Sequence, residues 1–402
     1  MSGGGLGRAV ADGLRAAADR EVLVRGDRRL RGDEVLAMVE AGVERLTARG
    51  VRPGATVACL YGEAPESVAA RLVALALGCR FVHLVQDVPV PIAAETMRAL
   101  DASALLWDPA REPDAGPLLA ACPVPVRARL DAGLFAPTTA GPVDMPGPDD
   151  APDATSVVMF SSGTTGPRKA VAYGHGTEAA HLTAARAIFG PGPWRLLVAP
   201  RARYLPGLFT LWTLAGGGTV VLEPALGDAR RLARLVDREG VTHCMAGRPL
   251  AVYGLARDLD APLTGLRQLL YGGTAAYPAR TAAAGRRLGP VLTQTYGITE
   301  GGFLTVLTAD DHHRTELLGS VGRAVPGVEI RVRDSRGGDL PRGETGEVWV
   351  RTGQRMLGYV NAPGRTSRTV PGGWLRTGDL GRLDAEGYLF LSDRAATAPP
   401  VR

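Results

Sequence analysis

Residues Val157 to Val171 read V-V-M-F-S-S-G-T-T-G-P-R-K-A-V. The apolar run Val157, Val158, Met159 and Phe160 predicts a buried strand. It breaks at once into Ser161, Ser162, Gly163, Thr164, Thr165 and Gly166. Glycines let successive N–H groups turn toward one point, hydroxyls add donors and metal ligands, and Lys169 adds a positive charge. A chain makes an anion-binding nest for a polyphosphate in this way. The spacing G-x-x-x-x-G-K-[ST] is absent, so this is not the common nucleoside-triphosphate loop.

On either side of this stretch, strand and helix patterns alternate. Strands are predicted at 21–26, 56–61, 81–85 and 104–107, with helices at 33–48 and 65–78. After the loop come a helix at 177–189, a strand at 195–199 and an apolar run at 208–214. A strand at 219–222 and a charged-faced helix at 229–239 follow, then strands at 241–245, 266–271 and 291–294. Such alternation predicts α/β layers with mostly parallel sheets. Residues 109–155 are rich in Pro, Ala, Gly and Asp and read as a loop and subunit seam. Beyond about 320, short strands at 328–332, 347–351 and 388–391 alternate with Gly- and Pro-rich turns, which predicts a small antiparallel unit or barrel.

A chain of 402 residues is too long for one small core. A net charge of +5 without basic clusters interleaved with aromatics argues against nucleic acid as a partner. The apolar stretch Val68 to Val85 is interrupted by Arg71 and Arg80, so no membrane span is expected, and a cytoplasmic protein is. Cys59, Cys79, Cys122 and Cys244 are scattered with no C-x-x-C pair, which argues against a metal or disulfide framework.

Three further stretches can carry chemistry. Tyr271-Gly272-Gly273-Thr274-Ala275 ends a strand, where a flat ligand can lie on bare backbone or the chain can simply turn. Thr295-Tyr296-Gly297-Ile298-Thr299-Glu300 offers an aromatic, a hydroxyl and a carboxylate able to stack a base and hold Mg²⁺. Trp374-Leu375-Arg376-Thr377-Gly378-Asp379 places a carboxylate on a tight turn, for ribose hydroxyls or for the turn itself.

Together with the opening loop and G-E-V-W-V-R-T-G-Q-R-M-L-G-Y (346–359), these motifs occur in one order. In that order they resemble the adenylate-forming superfamily of acyl-CoA synthetases, nonribosomal-peptide adenylation domains and luciferases, from about residue 20 to 394. The resemblance implies two Rossmann-like α/β subdomains over 1–320 that form an ATP- and acid-binding core, and a small distorted β-barrel over 321–394. It also implies that Ser161, Ser162, Gly163, Thr164, Thr165, Gly166 and Lys169 grip phosphate, with Thr164 or Thr165 on the β/γ-phosphates or Mg²⁺. Gly272, Gly273 and Thr274 would lie along adenine and Tyr296 would pack on it. Thr299 would touch the α-phosphate, Glu300 would ligate Mg²⁺, and Asp379 and Arg394 would hold the ribose. Arg203, Tyr204, Tyr271 and Gly297 are expected in the acid pocket. The implied reaction is attack of a carboxylate on the α-phosphorus of ATP, giving acyl-AMP and pyrophosphate.

Four departures qualify this. Arg168 and Ala170 stand at usual proline and glycine positions. The segment Pro200 to Gly207 carries no acidic residue to hold an α-amine, which favours an aryl or acyl acid over an amino acid. There Arg201 or Arg203 either pairs with a second acidic group on the substrate or is a surface arginine. The fourth departure is that Ala395, Ala396 and Thr397 replace a charged hinge, and the chain stops where the family continues into a mobile lid of about 100 residues. The expectation is a disordered tail over 395–402 and a lid, carrier protein or CoA acceptor supplied in trans. The alternative is a non-catalytic binder of ATP or acyl-adenylate that acts as sensor or scaffold.

Overall fold

The computed structural model describes residues 5–138, 141, 145, 152–161, 168–198, 206–223, 228–260 and 263–394. They fall into two compact units. The first comprises 1–182, 191–225 and 356–363; the second comprises 183–190, 226–355 and 364–402.

The first unit opens with α1 (Leu6–Ala16), β1 (Glu21–Arg25), β2 (Arg28–Arg31) and α2 (Gly32–Ala48). At the start of α2 the Glu34 carboxylate accepts the Arg31 amide at 2.7 Å, which satisfies an otherwise orphaned donor. Then come β3 (Thr56–Leu60), α3 (Pro65–Ala76), β4 (Arg80–Leu84), α4 (Val90–Ala99) and β5 (Ala102–Trp107). Next are α5 (Glu112–Ala121), β6 (Val126–Arg129), α6 (Ala132–Phe135), β7 (Thr155–Phe160), β8 (Ala170–Gly174) and α7 (His175–Phe189). After α7 come β9 (Arg195–Val198), α8 (Pro206–Ala215) and β10 (Thr219–Leu222). The order β8-β7-β4-β3-β5-β6 has five parallel strands flanked by antiparallel β8. Its central strands read as unbroken apolar runs because both faces are covered: Val57, Ala58, Phe81, Val82, Leu105 and Val158 are all buried. A second run, β9-β10-β1-β2, is parallel except at β1–β2.

The second unit contains α9 (Ala229–Glu239), β11 (His243–Gly247), α10 (Pro249–Asp258), β12 (Gln268–Gly272) and α11 (Pro278–Leu288). It continues with β13 (Leu292–Ile298), β14 (Gly302–Leu307), β15 (Arg323–Ala324), β16 (Val328–Arg333) and β17 (Gly346–Thr352). Helix α9 starts at Asp228, which accepts the Arg231 amide at 2.8 Å, and ends at Gly240 in the left-handed region. Strand β18 (Gly358–Tyr359) then belongs to the first unit, where it adds to β8. Back in the second unit are α12 (Pro363–Thr369), β19 (Leu375–Leu383) and β20 (Leu389–Arg394). The run β11-β12-β13 is parallel and continues antiparallel into β14 and β15. A separate antiparallel sheet, β16-β17-β19-β20, has no pairing between its first and last strands. It is therefore a half-barrel rather than a closed barrel.

The fold class is thus mixed α/β with mostly parallel sheets and a small antiparallel sheet. Residues 109–135, expected as loop, instead carry α5, β6 and α6. Two prolines mask the helix pattern in α5. Pro113 is accepted in the first turn and Pro117 inside the helix. The tail at 395–402 lies outside the described residues.

Arg71 interrupts an apolar helix and yet is buried. Its Nη2 donates to Glu178 Oε1 at 2.6 Å, and both side chains are under 5% exposed. Nη2 also reaches Ser156 Oγ at 3.2 Å, Ser156 Oγ donates to Glu178 Oε2, and the guanidinium lies 5.2 Å from the Phe81 ring centroid. Removing one partner leaves an unpaired buried charge. Arg71→Met is expected to cost about 3–5 kcal/mol in urea unfolding, and Arg71→Met/Glu178→Met far less than twice that.

His83, near the end of β4, stacks on Tyr61 with ring centroids 4.3 Å apart. Burial, with Arg71 and Arg111 adding, pushes its imidazole down to about 3. The folded value lies below the unfolded one, near 6.5, so the unfolded chain gains a proton first as the pH falls. Stability from this group is full above about 6.5 and declines toward about 3, by roughly 2 kcal/mol at pH 5. Denaturant midpoints at pH 7.5 and 5 should converge in His83→Gln relative to the parent chain.

Candidate functional site

In the first unit, β7 and β8 form an antiparallel pair with Phe160 opposite Ala170. Just beyond, the Ser161 amide donates to Lys169 O at 2.9 Å, and the Lys169 amide donates to Ser161 Oγ at 3.0 Å. The two stems of the predicted phosphate loop are therefore locked to each other. Ser162, Gly163, Thr164, Thr165 and Gly166 lie outside the described residues, as do Arg201, Arg203 and Tyr204. Lys169 points its ammonium over the Tyr359 ring, 5.1 Å from the centroid. Such a contact restrains a flexible cation without neutralising it. Tyr359 comes from β18, the last residues of the motif 346–359.

In the second unit, β12 ends at Tyr271 and Gly272, which pair with Gln294 and Thr295 of β13. Gly272 is half-buried, while Gly273 and Thr274 are exposed, so bare backbone is open at the strand's end. A side chain is excluded at two of these glycines. A Cβ would stand 2.2 Å from Thr295 O at Gly272, and 2.2 Å from Gly302 O at Gly297. Tyr271 is buried and faces His312, with its hydroxyl 2.8 Å from Nε2. His312 Nδ1 lies 2.6 Å from Thr308 O, a carbonyl that only accepts. Nδ1 therefore carries the hydrogen and Tyr271 donates to Nε2. Burial holds His312 below its ordinary range and Tyr271 above its own.

The β13–β14 pairing shifts register between Tyr296 and Gly297, where Leu304 is the extra residue on β14, and Thr299 and Glu300 stand in the turn to β14. Strand β19 also bulges: Glu347 pairs with Leu380 and Trp349 with Arg376, leaving Thr377, Gly378 and Asp379 opposite Val348. Asp379 is therefore inside a strand and not on a tight turn as expected. Gly378 supplies φ +74°, which a turn and a bulge both demand. Thr377 Oγ1 donates to Val348 O at 2.8 Å and accepts the Asp379 amide at 3.1 Å, which repairs the broken ladder.

The two bulges meet. Tyr296 OH donates to Asp379 Oδ2 at 2.6 Å, and both residues are under 10% exposed. The Tyr296 ring packs with Leu304, Val348, Val350, Leu375 and Leu389. Arg394 closes β20 in register with Asp379. Sequence reasoning gave no role to Gln354, which is buried and pins the start of β14. Its Oε1 accepts the Phe303 amide at 3.1 Å and its Nε2 donates to Phe303 O at 2.8 Å. The signal was a glutamine in an otherwise glycine-rich motif.

The second unit therefore offers an open backbone ledge at the end of β12 and an aromatic ring bonded to a carboxylate, and the first unit, by itself, offers the joined stems of the predicted phosphate loop. These parts suit a nucleotide. No group of three or more His, Cys, Asp or Glu able to hold a metal occurs among the described residues. A Mg²⁺ that takes one carboxylate and shares phosphate oxygens needs no such cluster, so Glu300 suffices. No helix among the described residues is long and apolar enough to cross a membrane.

This combination of fold and loops is that of an adenylate-forming ligase. A family model for AMP-binding enzymes matches residues 11–360, and the chain belongs to that family. It is similar to the amide bond synthetase McbA from Marinactinospora thermotolerans, with 38% identity and a TM-score of 0.87 over 97% of this chain and 79% of that one. It is 31% identical over 357 residues to a feruloyl-CoA synthase of an Amycolatopsis species, covering 87% of this chain and 70% of the relative. An o-succinylbenzoate CoA synthetase of Bacillus subtilis in complex with AMP superposes with a TM-score of 0.84 at 25% identity, over 96% of this chain and 78% of that one. The chain is accordingly placed among enzymes that activate a carboxylic acid with ATP.

Alanine at Gly297 collides with backbone, whereas alanine at Gly273 meets open space but must adopt φ +79°. Thermal unfolding should show a loss of about 2 kcal/mol or more for Gly297→Ala and about 1–2 kcal/mol for Gly273→Ala.

Proposed function

We propose that this enzyme joins an aryl carboxylate to AMP, with Mg²⁺, and passes the acyl group to a thiol or amine acceptor. The observation that carries the nucleotide half is the Tyr296–Asp379 bond together with the half-buried Gly272 and exposed Gly273 at the end of β12. Preference for an aryl acid is supported by the likeness to a feruloyl-CoA synthase and by the lack of an acidic residue at 200–207. CoA, a carrier protein or a free amine would be the acceptor. We place the reaction in the cytoplasm, where ATP is held.

A carboxylate oxygen attacks the α-phosphorus, the bond to the bridging oxygen of pyrophosphate breaks, and its electron pair leaves with pyrophosphate. No proton moves, because the nucleophile is already an anion. Negative charge shifts onto phosphate oxygens, so donors and cations placed in advance lower the barrier. Lys169 and the hydroxyls and amides of Ser161, Ser162, Gly163, Thr164, Thr165 and Gly166 would take the β- and γ-phosphates, and Thr299 the α-phosphate. Glu300, with Thr164, would hold Mg²⁺, which when bound offsets phosphate charge. Gly272, Gly273, Thr274 and Tyr296 would hold adenine, and Asp379 and Arg394 the ribose. Arg203, Tyr204 and Gly297 would line the acid pocket, whereas Tyr271, expected there, is buried against His312 and would support it from behind.

Incubation with ATP, Mg²⁺ and pooled hydroxycinnamic, benzoic, alkanoic and amino acids, read by mass spectrometry, should give acyl-AMP chiefly from the aromatic acids. Glu300→Gln should lower kcat about a hundredfold, and Asp379→Asn should raise KM for ATP at least about tenfold. Adenylates formed only from alkanoic or amino acids would overturn the substrate class. No pyrophosphate release with any acid, alone or with added lid proteins, would overturn the activity.

A further inference from the structure

Arg168 occupies a position that a proline usually fills in this family, and its guanidinium is used in full view of the loop stems. Its Nη1 donates to Ser161 O at 3.2 Å, and its Nη2 reaches Asp87 Oδ2 at 3.4 Å. The Arg168 side chain is 15% exposed and that of Asp87 28%. Asp87 follows β4, whose neighbour in the sheet is β7, the strand that delivers Ser161. The next residue is Lys169, clamped by its amide to Ser161 Oγ and by its ammonium over Tyr359.

We propose that Arg168 is a positioning residue for Lys169, with Asp87 as the anchor that holds the guanidinium across the Ser161 stem. The backbone at 168–169 is fixed on both sides. Ser161 binds it through main-chain and hydroxyl bonds, and the Arg168 fork ties the same residue's carbonyl to a neighbouring strand's loop. A proline at 168 has a rigid φ and no side-chain donor, so it can stiffen the stem but cannot cross-link it. Arginine does the converse, keeping the amide and adding a planar fork that serves two acceptors at once. The pair is part-buried at a long separation of 3.4 Å and ties only the loop stem, so its effect should be local. The inference rests on the assignment of Lys169 as a phosphate ligand.

The test uses the whole chain and the variants Arg168→Ala, Arg168→Lys, Asp87→Asn and Arg168→Ala/Asp87→Asn. Hydrogen exchange without any ligand should show the Ser161 and Lys169 amides exchanging about tenfold faster in Arg168→Ala, with β3 amides unchanged. Arg168→Lys, which keeps the charge but loses the fork, should fall between. KM for ATP should rise about fivefold in Arg168→Ala with kcat within about twofold, the pattern of lost uniform binding. The double variant should be no worse than Arg168→Ala, because the two side chains act as one device. Unchanged exchange at Ser161 and Lys169, or independent effects of Asp87 and Arg168, would overturn the inference. If the parent chain makes no acyl-AMP, the functional reading fails, while the exchange data still decide whether Arg168 orders Lys169. If Arg168→Ala does not fold, the same comparison is made between Arg168→Lys and Asp87→Asn, where exchange equal to that of the parent chain would overturn the inference.

Discussion

A carboxylate buried in an apolar sheet must find a donor, and the second unit is arranged around the one that Asp379 finds. The Tyr296 hydroxyl lies 2.6 Å away, on a strand 83 residues earlier in the chain. Asp379 lies in the bulge of β19, and Tyr296 lies on β13 beside the extra residue of β14. In a regular ladder the side-chain directions would alternate without interruption. The extra residues re-aim both groups while Thr377 and Gln354 replace the main-chain partners lost nearby. A bond of this kind to a charged acceptor contributes about 1.5–3 kcal/mol, and leaving the carboxylate unpaired costs at least as much. Specificity of geometry and stability of the core are therefore the same interaction here. The ring of Tyr296 packs in the apolar cluster with Leu304, Val348, Val350, Leu375 and Leu389, and its hydroxyl orients Asp379.

The first unit solves a different problem, ordering a long and flexible cation. Lys169 leans on the face of Tyr359, and its backbone is pinned to Ser161. A ring face restrains an ammonium alongside its polar partners. Deeper in the unit burial sets the terms. Arg71 is fully committed to Glu178 and Ser156, where burial forbids any unpaired charge.

Much of this was written plainly in the chain, and what was hidden was hidden for physical reasons. The strand at 157–160 and the parallel layers around it were legible because strands covered on both faces are continuous apolar runs. Helix α9 was legible to the residue, as 229–239, and the structure shows Asp228 and Gly240 capping its two ends. By contrast α5 carries Pro113 and Pro117, and one internal proline outweighs any apolar spacing in a sequence reading. Asp379 was singled out correctly as an unusual carboxylate, but its setting was misread. Gly378 signals only a positive φ, and a turn and a bulge share that requirement. The partnerships Tyr296–Asp379 and Arg71–Glu178 were beyond reach. A charge in an apolar run announces that a partner exists, but spacing along the chain does not say which residue it is.

The buried titratable groups add a last constraint on the chemistry. Burial holds His83 near 3 and His243 near 4, keeps His175 and His312 below their ordinary range, and lifts the thiols of Cys79 and Cys244 to about 11 and about 12. A general base or a thiolate nucleophile works best with a value close to the ambient pH, and these groups have all been moved away from it, into their neutral forms. For hydrolysis or acyl transfer through an enzyme thiol this would be a handicap. For adenylation it is not, because the substrate arrives as its own anion and leaves no proton to manage. What the fold must supply is then fixed charge and fixed donors. The locked stems of Ser161 and Lys169, the bonded carboxylate of Asp379 and the bare backbone of Gly272 and Gly273 are all of that kind.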